Sequence, residues 1–362
     1  MSCKHLIDLN DFAVEDWKSI VSLAVKIRQS PADYQESCRG KLLATLFYEP
    51  STRTRMSFQA AMLRLGGQVI GFDNPQNTSI SKGESVKDTI RIVSGYVDLI
   101  AARSPLEGFA RAASLYAGCP VINAGDGGHL HPTQTLTDLV TLQEEKGRLD
   151  HLVVGLCGDL KNGRTVHSLI KALGQFAGNR FILISTKELT LPDYLKHYIT
   201  ARGGQFEEIP RLEDAMPALD VLYMTRIQRE RFNSPEEYAR QKNIYVLDDK
   251  KMKLARPSLR VLHPLPRVDE IDLKVDNDPR AIYFDQAVYG MYARMSLILH
   301  LLNNPHPKEV PLGREYPGVR CANPNCIAGR EPYLPQTFHK TESDLIACDY
   351  CDEQVYLGEE GK

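Results

Sequence analysis

FYEPSTRTRMSFQAAMLRLGG occupies residues 47–67. The apolar run Leu42–Tyr48 that leads into it predicts a buried strand, which Pro50 and Ser51 break. From Met56 apolar residues recur at helical spacing (Met56, Ala60, Leu63) until Gly66 and Gly67 end the segment. The unit is strand, turn, helix. Its first helical turn holds Thr52, Arg53, Thr54 and Arg55, where the partial positive charge of a helix N-terminus favours Asp or Glu. Two exposed arginines there cost about 0.3–1 kcal/mol each. A phosphate on the free N–H groups, hydroxyls and guanidinium groups would offset that through charge-assisted hydrogen bonds. Solvated surface charge is the alternative for an arginine taken alone, but the cluster at a strand-to-helix turn predicts a phosphate site.

Outward from this unit, short apolar runs alternate with helical patterns. Strands are predicted at Leu42–Tyr48, Val69–Phe72, Val97–Ala101 and Val121–Asn123, then at Leu152–Leu156, Phe181–Ile184, Val221–Met224 and Val261–Leu262. Helices are predicted at Glu84–Gly95, Leu106–Ala117, Thr133–Lys146, Thr165–Phe176 and Gln286–Leu302. Such alternation implies an α/β fold of two doubly wound parallel-sheet domains, the helix near Thr133–Lys146 joining them. The stretch NNPHPKEVPLGREYPGVR, residues 303–320, is rich in proline and glycine and reads as a linker to a small C-terminal module.

Further candidate sites fall after predicted strands. NTSISKGES, residues 77–85, is a polar loop with Lys82 near its tip; a flexible surface loop is the plain alternative. NAGDGGHLHPTQTLTDL, residues 123–139, places His131 before Pro132 and Gln134 in a first helical turn, where α/β sheets hold ligands. A histidine there can donate to a developing oxyanion. In GLCGDLKNGRT, residues 155–165, the glycines miss the dinucleotide spacing. Gly158–Thr165 resembles a phosphate loop with Arg164 replacing its lysine, which argues against nucleotide hydrolysis and for a second anion site. YMTRIQRER, residues 223–231, supplies Arg226, Gln228, Arg229 and Arg231 after another strand, suited to a carboxylate-rich ligand. Pro264 and Pro266 hold VLHPLPRVDE, residues 261–270, in an extended loop after its strand.

The 362 residues are 43% hydrophobic and 25% charged with a net charge of −2, an ordinary globular composition without the basicity that nucleic acid or anionic membranes attract. No run approaches the ~18 apolar residues of a membrane span, and the acidic N-terminus does not resemble a signal peptide, so a cytoplasmic location is expected. Cys3, Cys38, Cys119 and Cys157 are scattered in the manner of reduced thiols. Cys321, Cys326, Cys348 and Cys351 have the spacing C-x4-C-x21-C-x2-C, which predicts a closed four-thiolate Zn2+ site of structural type.

FYEPSTRTR, NAGDGGHLHPTQT, GDLKNGRTVHS, YMTRIQRER and HPLPRVDEI occur in the order of the aspartate carbamoyltransferase catalytic chain, which residues 4–305 resemble. Residues 315–357 resemble the zinc domain of that family's separate regulatory chain, here fused to the catalytic chain. The resemblance implies a carbamoyl phosphate-binding domain over 1–133, with 290–307 packing back on it, and an aspartate-binding domain over 134–289. A linker over 308–317 and a zinc domain over 318–362 follow.

The resemblance maps carbamoyl phosphate contacts to Ser51, Thr52, Arg53, Thr54, Arg103, His131 and Gln134, and aspartate contacts to Arg164, Arg226 and Gln228. Leu265 and Pro266 would border both ligands, with a cis bond before Pro266, and Glu49 would tie the domains together through Arg164 and Arg231. Ser79 and Lys82 match a loop lent by a neighbouring subunit, implying homotrimers with shared sites that could pair into larger assemblies. That loop is a residue shorter than in relatives with a lysine pair, and the regulatory chain's nucleotide-binding domain is missing. Nucleotide control of that kind is therefore not expected.

The implied reaction transfers the carbamoyl group of carbamoyl phosphate to the α-amine of L-aspartate without a catalytic metal. Arg53, Thr54, Arg103 and His131 would be its catalytic residues. Ornithine carbamoyltransferases share the phosphate motif. However, their cationic second substrate would be repelled by arginines at 226 and 229, and they carry cysteine in the loop that here reads His263-Pro264-Leu265-Pro266. A zinc-bearing nucleic-acid binder is the other alternative; the tail is not markedly basic and has no aromatic-basic stripe.

Overall fold

The computed structural model describes residues 5–227, 234, 236, 238, 241, 244–303, 311–341 and 345–356. The chain divides into two compact units, 1–133 with 291–362, and 134–290. The crossings between units fall within two helices, α5 (Pro132–Lys146) and the long helix Tyr283–Asn303.

In the first unit β1 (Leu42–Phe47), β2 (Gln68–Phe72), β3 (Leu99–Ser104) and β4 (Val121–Asp126) form a parallel sheet in the order β2-β1-β3-β4. The chain leaves β1 towards one edge and returns at β3 on the other side. The carboxyl ends of β1 and β3 thus flank a topological switch point, where open α/β sheets bind ligands. The burial of β1 explains why it reads easily as an apolar run. α1 (Val14–Gln29), not anticipated, buries Trp17, Ile20, Val21, Ala24 and Ile27. The last helix returns to this unit: Ser296 Oγ donates to the Ile20 carbonyl at 2.6 Å, and the Arg294 guanidinium lies over the Phe58 ring at 5.1 Å.

The second unit has a five-stranded parallel sheet of β5 (Val153–Cys157), β6 (Arg180–Ile184), β7 (Gln205–Ile209), β8 (Val221–Met224) and β9 (Arg260–Leu262). Their order is β7-β6-β5-β8-β9, with the switch point between β5 and β8. β7 was absent from the sequence expectation because its residues, QFEEI, are mostly exposed and lack an apolar run.

The C-terminal module belongs to the first unit. Its antiparallel sheet runs β10 (Arg314–Glu315), β11 (Thr337–Lys340), β12 (Leu345–Cys348) and β13 (Gln354–Tyr356), so Arg314 and Glu315, within the expected linker, are already part of the module. It docks on α4 (Phe109–Ser114), a shorter helix than the Leu106–Ala117 pattern suggests. Phe109, Ala110 and Ala113 share one buried cluster with Tyr316, Ile327, Phe338 and Tyr350. Small residues permit this approach. A Cβ on Gly108 (φ +79°) would lie 2.5 Å from the Tyr350 Cβ, so the residue starting α4 must be glycine for both reasons of space and backbone. Among the described residues no helix is long and apolar enough to cross a membrane.

Candidate active site

β1 ends at Phe47, and α2 (Thr52–Arg64) begins four residues after the intervening Tyr48. Ser51 is the N-cap, yet its side chain makes no capping hydrogen bond. The first N–H groups of α2 have no intrahelical acceptor, so hydroxyl and amides together form a ready anion cradle. Thr54 is buried, whereas Thr52 and Arg53 are exposed. Partial desolvation, and then the charge of Arg103, holds Arg53 below the ordinary arginine range although the side chain is exposed. The two arginines of the first turn separate in role: Arg55 pairs with Asp73, so a structural ion pair, not phosphate, accounts for it.

Arg103 sits at a register shift between β3 and β4, where Ala102 pairs with Asn123 but Ser104 pairs with Asp126. The extra residue on β4 re-aims the neighbouring side chains. Arg103 donates to the Ala124 carbonyl at 3.3 Å, and its Nη1 stands 3.4 Å from Nε2 of His131. A Cβ on Gly125 (φ +123°) would lie 2.6 Å from Arg103 Nη1, so this glycine leaves the guanidinium its place. Arg103 Nη2 pairs with Glu49 at 2.7 Å, while its Nε is buried with no hydrogen-bond partner. An orphaned buried donor of this kind calls for an acceptor. The structure therefore brings Arg103, His131 and Glu49 together at the carboxyl ends of β1, β3 and β4.

Ser79 and Lys82 are exposed, on a 3-10 turn capped by Thr78, whose Oγ1 accepts from Ile80 N–H at 3.3 Å. The loop is thus built of short turns.

In the second unit, Gln134 Nε2 donates to Asp138 Oδ1 at 2.9 Å. Asp138 is fully buried and also accepts from Tyr223 Oη at 3.0 Å and Gln286 Nε2 at 2.7 Å. Gln286 Oε1 accepts in turn from the His263 N–H at 2.9 Å. Sequence reading assigned Asp138 no role, although a carboxylate inside the apolar pattern of α5 was visible as a signal. His263 accepts the Leu265 N–H on Nδ1 at 2.8 Å and faces Glu270 Oε1 through Nε2 at 2.7 Å, so the ring proton lies on Nε2. Burial would raise the Glu270 carboxyl, but its hydrogen bonds from His263 and the backbone outweigh that and hold it low. The Leu265–Pro266 bond of this loop is cis.

Arg164 opens α6 (Arg164–Leu173) after β5, and Arg226 follows β8, so both stand beside the second switch point. There Asp159 N–H donates to Thr225 Oγ1 at 3.1 Å, tying the two loops. Gln228, Arg229 and Arg231 lie outside the described residues, as does Cys3.

The four C-terminal cysteines converge. Their sulfur atoms lie within 4.8 Å of one another, with Cys321 to Cys351 at 3.5 Å and Cys326 to Cys348 at 3.9 Å. Tetrahedral zinc with bonds of about 2.3 Å requires sulfurs about 3.8 Å apart. The donor set and its spacing fit zinc.

Residues 4–144 match the family model described as aspartate/ornithine carbamoyltransferase, carbamoyl-P binding domain, and residues 150–301 the corresponding Asp/Orn binding domain. Residues 316–359 match the metal binding domain of the aspartate carbamoyltransferase regulatory chain. The aspartate carbamoyltransferase catalytic subunit of Clostridium novyi is 58% identical over 299 residues, covering 83% of this chain and 98% of that protein. Among solved structures, the catalytic subunit of M. jannaschii aspartate transcarbamoylase has a TM-score of 0.79 at 46% identity, covering 83% of this chain and 98% of that one. The Trypanosoma cruzi enzyme in complex with carbamoyl phosphate and aspartate has a TM-score of 0.76 at 37% identity, covering 82% and 96%.

Proposed function

The chain belongs to the aspartate/ornithine carbamoyltransferase family, and on that premise we propose that it transfers the carbamoyl group of carbamoyl phosphate to L-aspartate. The carrying observation is the grouping of Arg103 and His131, with an unpartnered Arg103 Nε, beside the uncapped N-terminus of α2 that bears Arg53.

The neutral α-amine of aspartate attacks the carbamoyl carbon, forming a C–N bond and a tetrahedral intermediate. The C–O bond to phosphate then breaks, and the proton lost by the amine leaves on the phosphate. Ser51, Thr52 and the α2 amides hold the phosphate while Arg53 neutralises its growing charge. Thr54, Arg103 and His131 polarise the carbonyl, and Gln134, oriented by Asp138, holds the carbamoyl end. Arrival of the substrate must draw Arg103 from Glu49. Arg164, Arg226 and Gln228 receive the aspartate carboxylates, and the braced loop with Leu265 and Pro266 borders both ligands. An arginine-lined acceptor favours aspartate over cationic ornithine.

Ser79 and Lys82 act in a neighbouring subunit of a homotrimer, the enzyme working in the cytoplasm in pyrimidine biosynthesis. Zinc on Cys321, Cys326, Cys348 and Cys351 supplies folding stability to the C-terminal module. The test is formation of N-carbamoyl-L-aspartate from carbamoyl phosphate and aspartate, with ornithine as the competing acceptor. No carbamoyl-aspartate, or faster formation of citrulline, would overturn the proposal.

A further inference from the structure

A chain of polar contacts joins the cysteine cluster to the loop that carries His131. It starts at Asp352, next to Cys351, whose Oδ2 lies 3.0 Å from His129 Nε2. His129 Nδ1 lies 3.2 Å from Oδ2 of Asp126, a buried carboxylate at the end of β4. Asp126 accepts from the backbone N–H of Leu130 and of Gly108, each at 2.9 Å. Leu130 immediately precedes His131. A second arm runs through Glu107. Its N–H donates to the Asn325 carbonyl at 3.0 Å and its carbonyl accepts from Ile327 at 2.9 Å. Its side chain accepts from Asn323 at 2.7 Å and from the Gly128 N–H at 3.2 Å.

Carboxylates on both ring nitrogens require His129 to donate from both, as only the imidazolium does. Burial opposes that charge, but the hydrogen bonds and charges of Asp126 and Asp352 push His129 up to about 10. The turn it braces contains Gly127 and Gly128, which supply little stiffness of their own. Its rigidity must come from contacts. The apolar cluster on α4 already attaches the module, so the Asp352 bridge is not needed as an anchor; it lands two residues from His131.

We infer that His129 and Asp352 are positioning residues, through which the zinc module fixes the turn 126–130 and thereby the presentation of His131 and Arg103 to the carbamoyl group. The inference rests on the carbamoyl-transfer reading above, and it gives the fused module a part in the active site's geometry.

The test uses the full-length, zinc-loaded protein and its Asp352→Ala, Asp352→Glu and His129→Gln variants. Zinc content, assembly mass, kcat, KM for carbamoyl phosphate, and the calorimetric Kd for inorganic phosphate are measured. Misplacement by about 1 Å can cost on the order of 10²-fold in rate, so a partial disturbance should lower kcat by about tenfold. Asp352→Ala and His129→Gln should show that fall and weaker phosphate binding at full zinc occupancy, with Asp352→Glu recovering most of both. Unchanged kcat, KM and phosphate Kd, even beside a lower melting temperature, would reduce the bridge to glue and overturn the inference. Should Asp352→Ala lose zinc, His129→Gln, outside the cysteine segment, decides by the same criteria. A wild-type protein that makes no carbamoyl-aspartate defeats the functional reading itself, and the phosphate affinities then still test the bridge.

Discussion

At the scale of single residues, charge placed against local preference marks function only when no structural partner takes it up. Arg53 and Arg55 look alike in sequence, but Asp73 neutralises Arg55 whereas Arg53 stands near the charge of Arg103. Arg53→Ala should therefore reduce turnover by at least about 10²-fold, the usual loss for a single transition-state donor, while the melting temperature holds. Steady-state kinetics beside a thermal melt would check this, and retention of a tenth of the rate would refute the role. His129 gives a pH prediction. Its folded pKa of about 10 lies above the unfolded value of about 6.5. The bridge's contribution is thus fully present below pH 6.5 and is lost as pH rises through 10. The melting-temperature gap between wild type and His129→Gln should shrink steadily from pH 6.5 to 10; a gap that widens would contradict the imidazolium assignment. His131 was legible from its motif, and Arg103 only through the family resemblance. Asp138, His129 and Asp352 were not, because each acts on another residue through contacts that sequence distance conceals.

At the scale of elements, a strand that carries an apolar run announces itself and an exposed, charged one does not. β1 and β8 read LLATLF and VLYM, whereas β7 reads QFEEI and was not predicted. The C-terminal sheet has strands of two to four residues and cannot be inferred from periodicity. Its cysteine spacing was legible because metal geometry demands it. A module of about 45 residues has too small a core to fold securely alone, so metal must contribute much of its stability. Cys326→Ser should accordingly abolish zinc retention and lower the melting temperature, while turnover falls without vanishing. Metal analysis, melting and assay on the same preparation test this; a zinc-free variant with unchanged melting would exclude the structural role.

At the scale of the whole molecule, the candidate substrate residues among those described stand at or follow the carboxyl ends of parallel strands or lie on the exposed 79–82 turn. Exposure of Ser79 and Lys82 is consistent with a residue lent to a second copy. Mixing Arg53→Ala and Lys82→Ala chains under subunit exchange should then restore activity, because some hybrid sites receive both native side chains. Confirmed exchange with no recovery would place Lys82 in its own chain's site or in none.

The sequence alone determined the alternation of strand and helix and marked the candidate phosphate turn and the cysteine set, because burial period, capping chemistry and ligand spacing act over a few residues. Only the tertiary structure decided that Asp73 takes Arg55, that Asp138 braces Gln134 and Gln286, and that the cysteine module docks on α4 and reaches His129. One of those choices, His129 with Asp352, joins residues 223 positions apart. Such choices depend on which surfaces pack, and no local periodicity records that.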